Sequence, residues 1–278
     1  MSCPDCFSGS THKGNPSGEV TTLHGLKVYT AKPSDGVAPR GIIIIIPDAF
    51  GWEFVNNRLL ADHYAEKGGY VVYLPEFMNG HSASLTLLTS TQEVMKTSGI
   101  IGWIKAPYYV ASIIFALVPF AYYNRFGLTR PVINAFFKDV RDNEGAELPM
   151  YAAGFCWGGK HTVNLASSVE TATDGKPLID AGFTGHPSQL DIPLDINNMT
   201  IPVSFALAEK DRMLQPPAIE TIRQIVESRP EAERGEVKVY KGAGHGFCIR
   251  ADVIQEDASK QAAEAEDQAL AWFDKHRP

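Results

Sequence analysis

The chain has 278 residues, 44% of them hydrophobic and 21% charged, enough to bury one large core, and α/β proteins of this length commonly form one domain. Its formal net charge of -7 leaves no basic footprint, which argues against a nucleic-acid partner or an anionic membrane surface and favours a small-molecule substrate. Cysteines at 3, 6, 156 and 248 are too few for a disulfide scaffold, and the start of the chain lacks the basic and apolar regions of a secretory signal, so a reducing cytoplasmic setting is expected.

Cys3 and Cys6 form a C-x-x-C pair with only His12 nearby, too few ligands for zinc, and the stretch reads as an N-terminal arm. Glu19 to Ala31 alternates around His24-Gly25 as an antiparallel hairpin at a sheet edge, and the Pro, Gly and Ser content of Lys32 to Arg40 marks a surface connection. Gly41 to Pro47 encloses an unbroken isoleucine run. Without alternation, such a run marks a strand covered on both faces at the centre of a parallel sheet. The loop Asp48 to Glu53 leaves the carboxyl end of that strand, where ligands of open α/β sheets bind. A helix is expected over Asn57 to Lys67, ended by Gly68-Gly69, and a second buried strand over Tyr70 to Pro75, giving a right-handed parallel crossover.

Glu76 to Arg130 is the hardest part to read. Ile100 to Tyr123 has Lys105 as its single charge and is long enough to raise a membrane span, but Pro107 and Pro119 interrupt it and it lies between two sheet strands. A buried or lid-like helix is the expectation, within an insertion around 82–130, with contact at a membrane surface as the alternative. Pro131 fits the first position of a helix over 131–143, whose Val132, Ile133, Phe136, Phe137 and Val140 form one stripe.

Met150 to Ala153 then leads into Gly154-Phe155-Cys156-Trp157-Gly158-Gly159 and an apolar-patterned helix. Strand, sharp turn and helix with a nucleophile at the apex is the G-x-S-x-G elbow with sulfur in place of oxygen. Alone, Cys156 would read as a small buried hydrophobe. Two downstream blocks change that reading. Asp211 closes the strand-like run from Ile201, and His245 sits in Gly244-His245-Gly246-Phe247 after the run Val237 to Tyr240. Nucleophile, acid and histidine in that order, each on a loop after a strand, is the order of α/β-hydrolases. In such a triad His245 accepts the thiol proton, Asp211 fixes the imidazole, and the backbone amides of Trp157 and Ala49 hold the oxyanion. Leu178 to Thr184 should deliver His186 to the same end of the sheet, as a substrate contact or as a loop histidine satisfied by hydrogen bonds. Helices over Pro216 to Ser228 and Gln255 to His276 carry no visible chemistry, and the sequence has no repeat, nucleotide fingerprint or metal-ligand cluster.

With these blocks in place, the sequence resembles the dienelactone hydrolase family in its fungal-looking branch. The resemblance rests on the Cys3 to Cys6 arm, Pro47 to Trp52, Leu74 to Gly80, Gly154 to Gly159, Glu209-Lys210-Asp211 and Gly244 to Phe247. It implies a single α/β-hydrolase domain over 1–278 and a mostly parallel sheet with helices on both faces. It also implies a cofactor-free Cys156-His245-Asp211 triad acting on lactones or esters. In bacterial members a glutamate in the first loop activates the thiol; here Asp48 stands in its place, with Glu53 as a substitute. Arg250 corresponds to an arginine that pairs with substrate carboxylate, with an exposed surface position as the alternative, while Phe50, Trp52 and Trp157 suggest a bulkier, more apolar substrate. A polyketide thioesterase or lactone-processing enzyme shares the same mechanism, and a binding protein on the same fold is the reading from another class. Oligomeric state, a homodimer included, stays open.

Overall fold

The computed structural model describes residues 9–88, 90, 99–252 and 254–277, with side chains between 99 and 110 outside that description. The Cys3 and Cys6 pair therefore lies outside the described residues.

Eight strands form one sheet in the order β1-β2-β4-β3-β5-β6-β7-β8. The edge is the expected hairpin of β1 (Glu19–Leu23) and β2 (Leu26–Ala31). His24 and Gly25 both take positive φ at its tip, 47° and 81°, as a two-residue turn that matches strand twist requires. β2 runs antiparallel to β4 (Val71–Pro75), and from β4 onward every pairing is parallel: β3 (Ile42–Ile46), β5 (Met150–Phe155), β6 (Ala181–Gly185), β7 (Val203–Lys210) and β8 (Glu236–Gly244). β3 is buried along its whole length, which is why its sequence shows no alternation. Each isoleucine side chain removed from water there contributes roughly 1.5–3 kcal/mol.

Parallel pairing places the carboxyl ends of β3, β5, β6, β7 and β8 at one edge of the sheet, and the loops that leave them carry every candidate site residue. Helix α1 (Val55–Gly68) makes the crossover from β3 to β4 and ends where Gly69 takes φ 72°. Helix α2 (Gly99–Tyr123) is followed by α3 (Phe126–Asp142), and α4 (Trp157–Leu165) leaves the elbow. Helices α5 (Leu194–Asn197), α6 (Pro216–Glu227), α7 (Phe247–Arg250) and α8 (Glu256–Lys275) complete the described set.

Two helix expectations are corrected. Pro107 and Pro119 do not break α2, which is continuous from Gly99 to Tyr123. Nor does Pro131 start α3: that helix begins at Phe126 and holds Pro131 inside it. Each proline removes a single N–H donor. In α3, Ile133, Phe136, Phe137 and Val140 are buried in the core on one stripe, and Thr129 in the turn before the proline reaches His161 at 3.2 Å. That packing outweighs one missing hydrogen bond. Val132, expected on the stripe, is exposed. Among the described residues no helix is long and apolar enough to cross a membrane.

Candidate active site

The elbow is built by crowding. Cys156 takes φ 52° and ψ -110°, a strained conformation for a residue with a side chain. Its glycine neighbours are held by lack of space: a Cβ on Gly154 would lie 2.2 Å from Thr162 Oγ1, and one on Gly158 would lie 2.0 Å from the Ile46 carbonyl oxygen. The backbone is pinned on both sides. Cys156 N–H donates to the Gly185 carbonyl at 3.2 Å, and the Cys156 carbonyl accepts from the Ser188 N–H at 3.0 Å.

The three residues singled out on separate loops come together at this apex. His245 Nε2 lies 3.1 Å from Cys156 Sγ, and His245 Nδ1 lies 2.8 Å from Asp211 Oδ2. All are nearly sealed from water, with Cys156 2%, Asp211 4% and His245 6% exposed, so their charges act on one another with little screening. Burial alone would lower the pKa of His245. The negative charge of Cys156, followed by the hydrogen bond to Asp211, overcomes it and raises the pKa to about 9. That shift favours the protonated imidazole beside the sulfur near neutral pH.

The N–H groups of Trp157, first residue of α4, and of Ala49, third residue after β3, have no acceptor among the described residues. Pairs of open amides beside a nucleophile are what a developing oxyanion requires. The Ala49 carbonyl accepts from the Ala83 N–H at 2.7 Å, which anchors the loop.

Asp48 and Arg250 were expected to act separately, on the thiol and on substrate. Instead they form an ion pair, with both side chains fully buried. Arg250 is not a surface residue, and its guanidinium also sits 5.3 Å from the Phe50 ring centre. Asp48 accepts from the Phe50 N–H at 3.2 Å and from Asn57 Nδ2 at 3.1 Å. Burial raises its pKa against the opposing pull of Arg250, and the charge of Cys156 pushes in the same direction as burial, so Asp48 does feel the sulfur. Glu53 is exposed and does not belong to this cluster.

The aromatic candidates are buried. Phe50 packs 5.3 Å from Phe54, Trp52 receives the Arg58 guanidinium at 4.8 Å, and Trp157 donates through Nε1 to the Asn124 carbonyl at 3.0 Å. His186 is also buried, but it is not satisfied: neither ring nitrogen has a partner among the described residues, and the ring stands edge-on 5.0 Å from His245. Burial, then the charges of His245 and Arg250, hold its pKa well below the usual histidine range, so it is neutral.

Two neighbours of the site went unread in the sequence. Ser188 Oγ lies 3.8 Å from Cys156 Sγ, and Asn57 joins Asp48 to the Gly51 carbonyl, which it reaches at 2.9 Å. Ser188 had a signal, since it follows His186 on the loop after β6; Asn57 looked like an ordinary helix-start residue. The N-terminal arm proves to be a brace. Ser10 N–H donates to the Arg250 carbonyl at 3.1 Å, His12 N–H donates to Asn56 Oδ1 at 2.8 Å, and Asn56 Nδ2 donates to the Ile249 carbonyl at 2.7 Å. Arm and α1 together fix the short helix that carries Arg250. Among the described residues, no group of three or more His, Cys, Asp or Glu could hold a metal ion.

A mostly parallel sheet with a nucleophile at the β5 elbow, an acid after β7 and a histidine after β8 defines an α/β-hydrolase. The fold is shared with the crystal structure of a dienelactone hydrolase from Anabaena variabilis, at TM-score 0.60 and 12% identity over 96% of this chain and 100% of that one. Residues 26–277 match the model of the dienelactone hydrolase family, and the chain belongs to that family. It is similar to hydrolase pyvD of Aspergillus violaceofuscus, 24% identical over 98% of this chain and 95% of that protein. It is also similar to the carboxymethylenebutenolidase homolog of Mus musculus, 26% identical over 99% of this chain and 97% of that one. The chain is accordingly a hydrolase of the lactone and carboxylic-ester type.

Two outcomes follow from the charges. A histidine whose folded pKa lies above its unfolded value of about 6.5 contributes stability that is complete below that pH and is lost as pH rises through the folded value of about 9. In Cys156→Ala the largest contribution raising the pKa disappears, so the His245 midpoint in an NMR titration should fall below about 9; an unchanged midpoint would contradict the ion pair. Arg250→Met should lower unfolding free energy in urea by about 3–5 kcal/mol, because Asp48 is then a buried charge without its cation. Adding Asp48→Asn should recover part of that loss.

Proposed function

We propose that this chain cleaves a neutral lactone or carboxylic ester through a Cys156-His245-Asp211 triad and an acyl-thioester intermediate. The observation that carries the reading is the unbroken chain from Cys156 Sγ to His245 Nε2, 3.1 Å, and from His245 Nδ1 to Asp211 Oδ2, 2.8 Å.

In this reading the Cys156 thiolate adds to the substrate carbonyl, and the displaced electron pair collects on oxygen, opposite the open amides of Trp157 and Ala49. Collapse breaks the bond to the alcohol oxygen, which takes the proton from His245 Nε2 and leaves; in a lactone it stays tethered as a hydroxyl. Neutral His245 then removes a proton from water as the water oxygen attacks the thioester. Cleavage of the carbon-sulfur bond releases the acid and restores thiolate and imidazolium. Asp211 keeps the imidazole in one orientation and stabilises its cationic form at both stages. Thiolate is a better leaving group than alkoxide, so esters and lactones suit this cycle better than amides.

The preference for a neutral substrate comes from Arg250, which is fully buried and paired with Asp48 rather than presented to a substrate carboxylate. The name of the mouse relative, a carboxymethylenebutenolidase homolog, points to lactone chemistry as well. With 4-nitrophenyl acetate and dihydrocoumarin as probes, Cys156→Ala and His245→Ala should each lower kcat/KM by about a thousandfold or more. The double variant should lose little beyond that, since the two residues act as one unit. Activity of Cys156→Ala within tenfold of the unaltered protein would sink the nucleophile assignment.

A further inference from the structure

Among the described residues, the outer face of α2 and the start of α3 carry a run of exposed apolar side chains that the reaction leaves unused. Phe115 is 80% exposed, and Ile114, Val118 and Tyr122, also exposed, share its side of the helix at one-turn spacings. Leu128 and Val132 extend the patch into α3. The opposite side, with Phe120 buried and Ile113, Ala116 and Leu117 partly buried against the core, holds the helix to the body. A helix with one face already packed gains nothing in folding from a second apolar face held in water.

The charge around this face runs against that of the whole chain. From Ala111 to Val132 the sequence contains Arg125 and Arg130 and no acidic residue, although the chain as a whole carries -7. At the rim of the patch, Arg125 lies 4.4 Å over the Tyr122 ring and Arg130 5.9 Å over the Phe126 ring. Among the described residues neither arginine joins an ion pair. An apolar helical face edged by aromatic rings and by arginines whose stems lie along them is suited to the boundary between headgroups and acyl chains.

We propose that this face seats the protein on an anionic lipid surface, α2 lying flat in the interface with Arg125 and Arg130 at the phosphate level. The acidic remainder of the molecule is repelled by such a surface, so attraction at this face alone would orient the protein as well as hold it. A second copy of the chain fits worse. In a two-fold pairing the face would meet itself, bringing Arg125 and Arg130 toward their own copies, while Glu76, beside Leu128 and Val132, already accepts from the Met78 and Gly80 N–H groups. The proposal does not depend on the reaction assigned to Cys156, and its test does not use turnover.

The experiment is sedimentation of the full chain with vesicles of phosphatidylcholine alone and with about one-third phosphatidylserine, at low and high salt, alongside light scattering without lipid. Binding to the phosphatidylserine vesicles is expected to be at least about tenfold stronger than to phosphatidylcholine and to weaken with salt. Phe115→Glu with Val118→Glu should abolish it while leaving the far-ultraviolet circular dichroism unchanged, and Arg125→Glu with Arg130→Glu should abolish the preference for phosphatidylserine. Absence of binding at low salt would overturn the proposal, as would binding undiminished in the Phe115 and Val118 variant. A two-chain mass in light scattering that falls to one chain in that variant would overturn it too, by making the face an interface between copies.

Discussion

Cys156 Sγ and His245 Nε2 lie 3.1 Å apart in a place that water hardly reaches, and the rest of the architecture can be understood from what a charge pair there would need. Removing water strengthens attraction between the two charges and penalises each charge separately, so the pair persists only if every neighbour is placed to favour it. Asp211 supports the imidazolium. Asp48, which would oppose a second negative charge on sulfur, is itself balanced by Arg250. The brace of N-terminal arm, Asn56 and α7 matters to chemistry for this reason: it holds Arg250 against Asp48, and Asp48 lies within electrostatic reach of the thiol.

Position is settled by the sheet and by steric exclusion. Parallel strands bring five loops to one edge, and the elbow fits there because Gly158 approaches the end of β3 so closely that no side chain could be inserted. The same approach brings the start of α4 against Ile46 and Pro47, next to the loop that carries Ala49. Strain at Cys156 is sustained by hydrogen bonds on both sides of its backbone, to Gly185 and from Ser188. The positions of Cys156, the Trp157 and Ala49 amides and His245 are thus set by backbone packing.

Much of this was legible in the sequence, and what was legible shares a cause. The isoleucine run of β3, the hairpin turn at His24-Gly25 and the glycines of the elbow each reflect a local constraint that permits few residue types. Cys156, Asp211 and His245 could be placed because strand periodicity says where each loop begins. Long-range pairing leaves no such mark. Arg250 sits in a helix of one turn, too short for periodicity, and its partner is distant in the sequence, so no local signal separates a surface position from a substrate role. Asn57 and Ser188 act through contacts that exist only after folding. Pro131 misled for the opposite reason: a local rule about helix starts was overruled by the core packing of Phe136, Phe137 and Val140.

The most direct test of the acyl-thioester cycle is intact-protein mass spectrometry after brief exposure to a series of activated esters and lactones, with Cys156→Ala beside the unaltered chain. A mass gain equal to the acyl group, dependent on Cys156 and decaying with time, is the expected result. Steady hydrolysis with no adduct in the unaltered chain even under rapid quenching, or the same adduct in Cys156→Ala, would contradict a covalent intermediate on this sulfur.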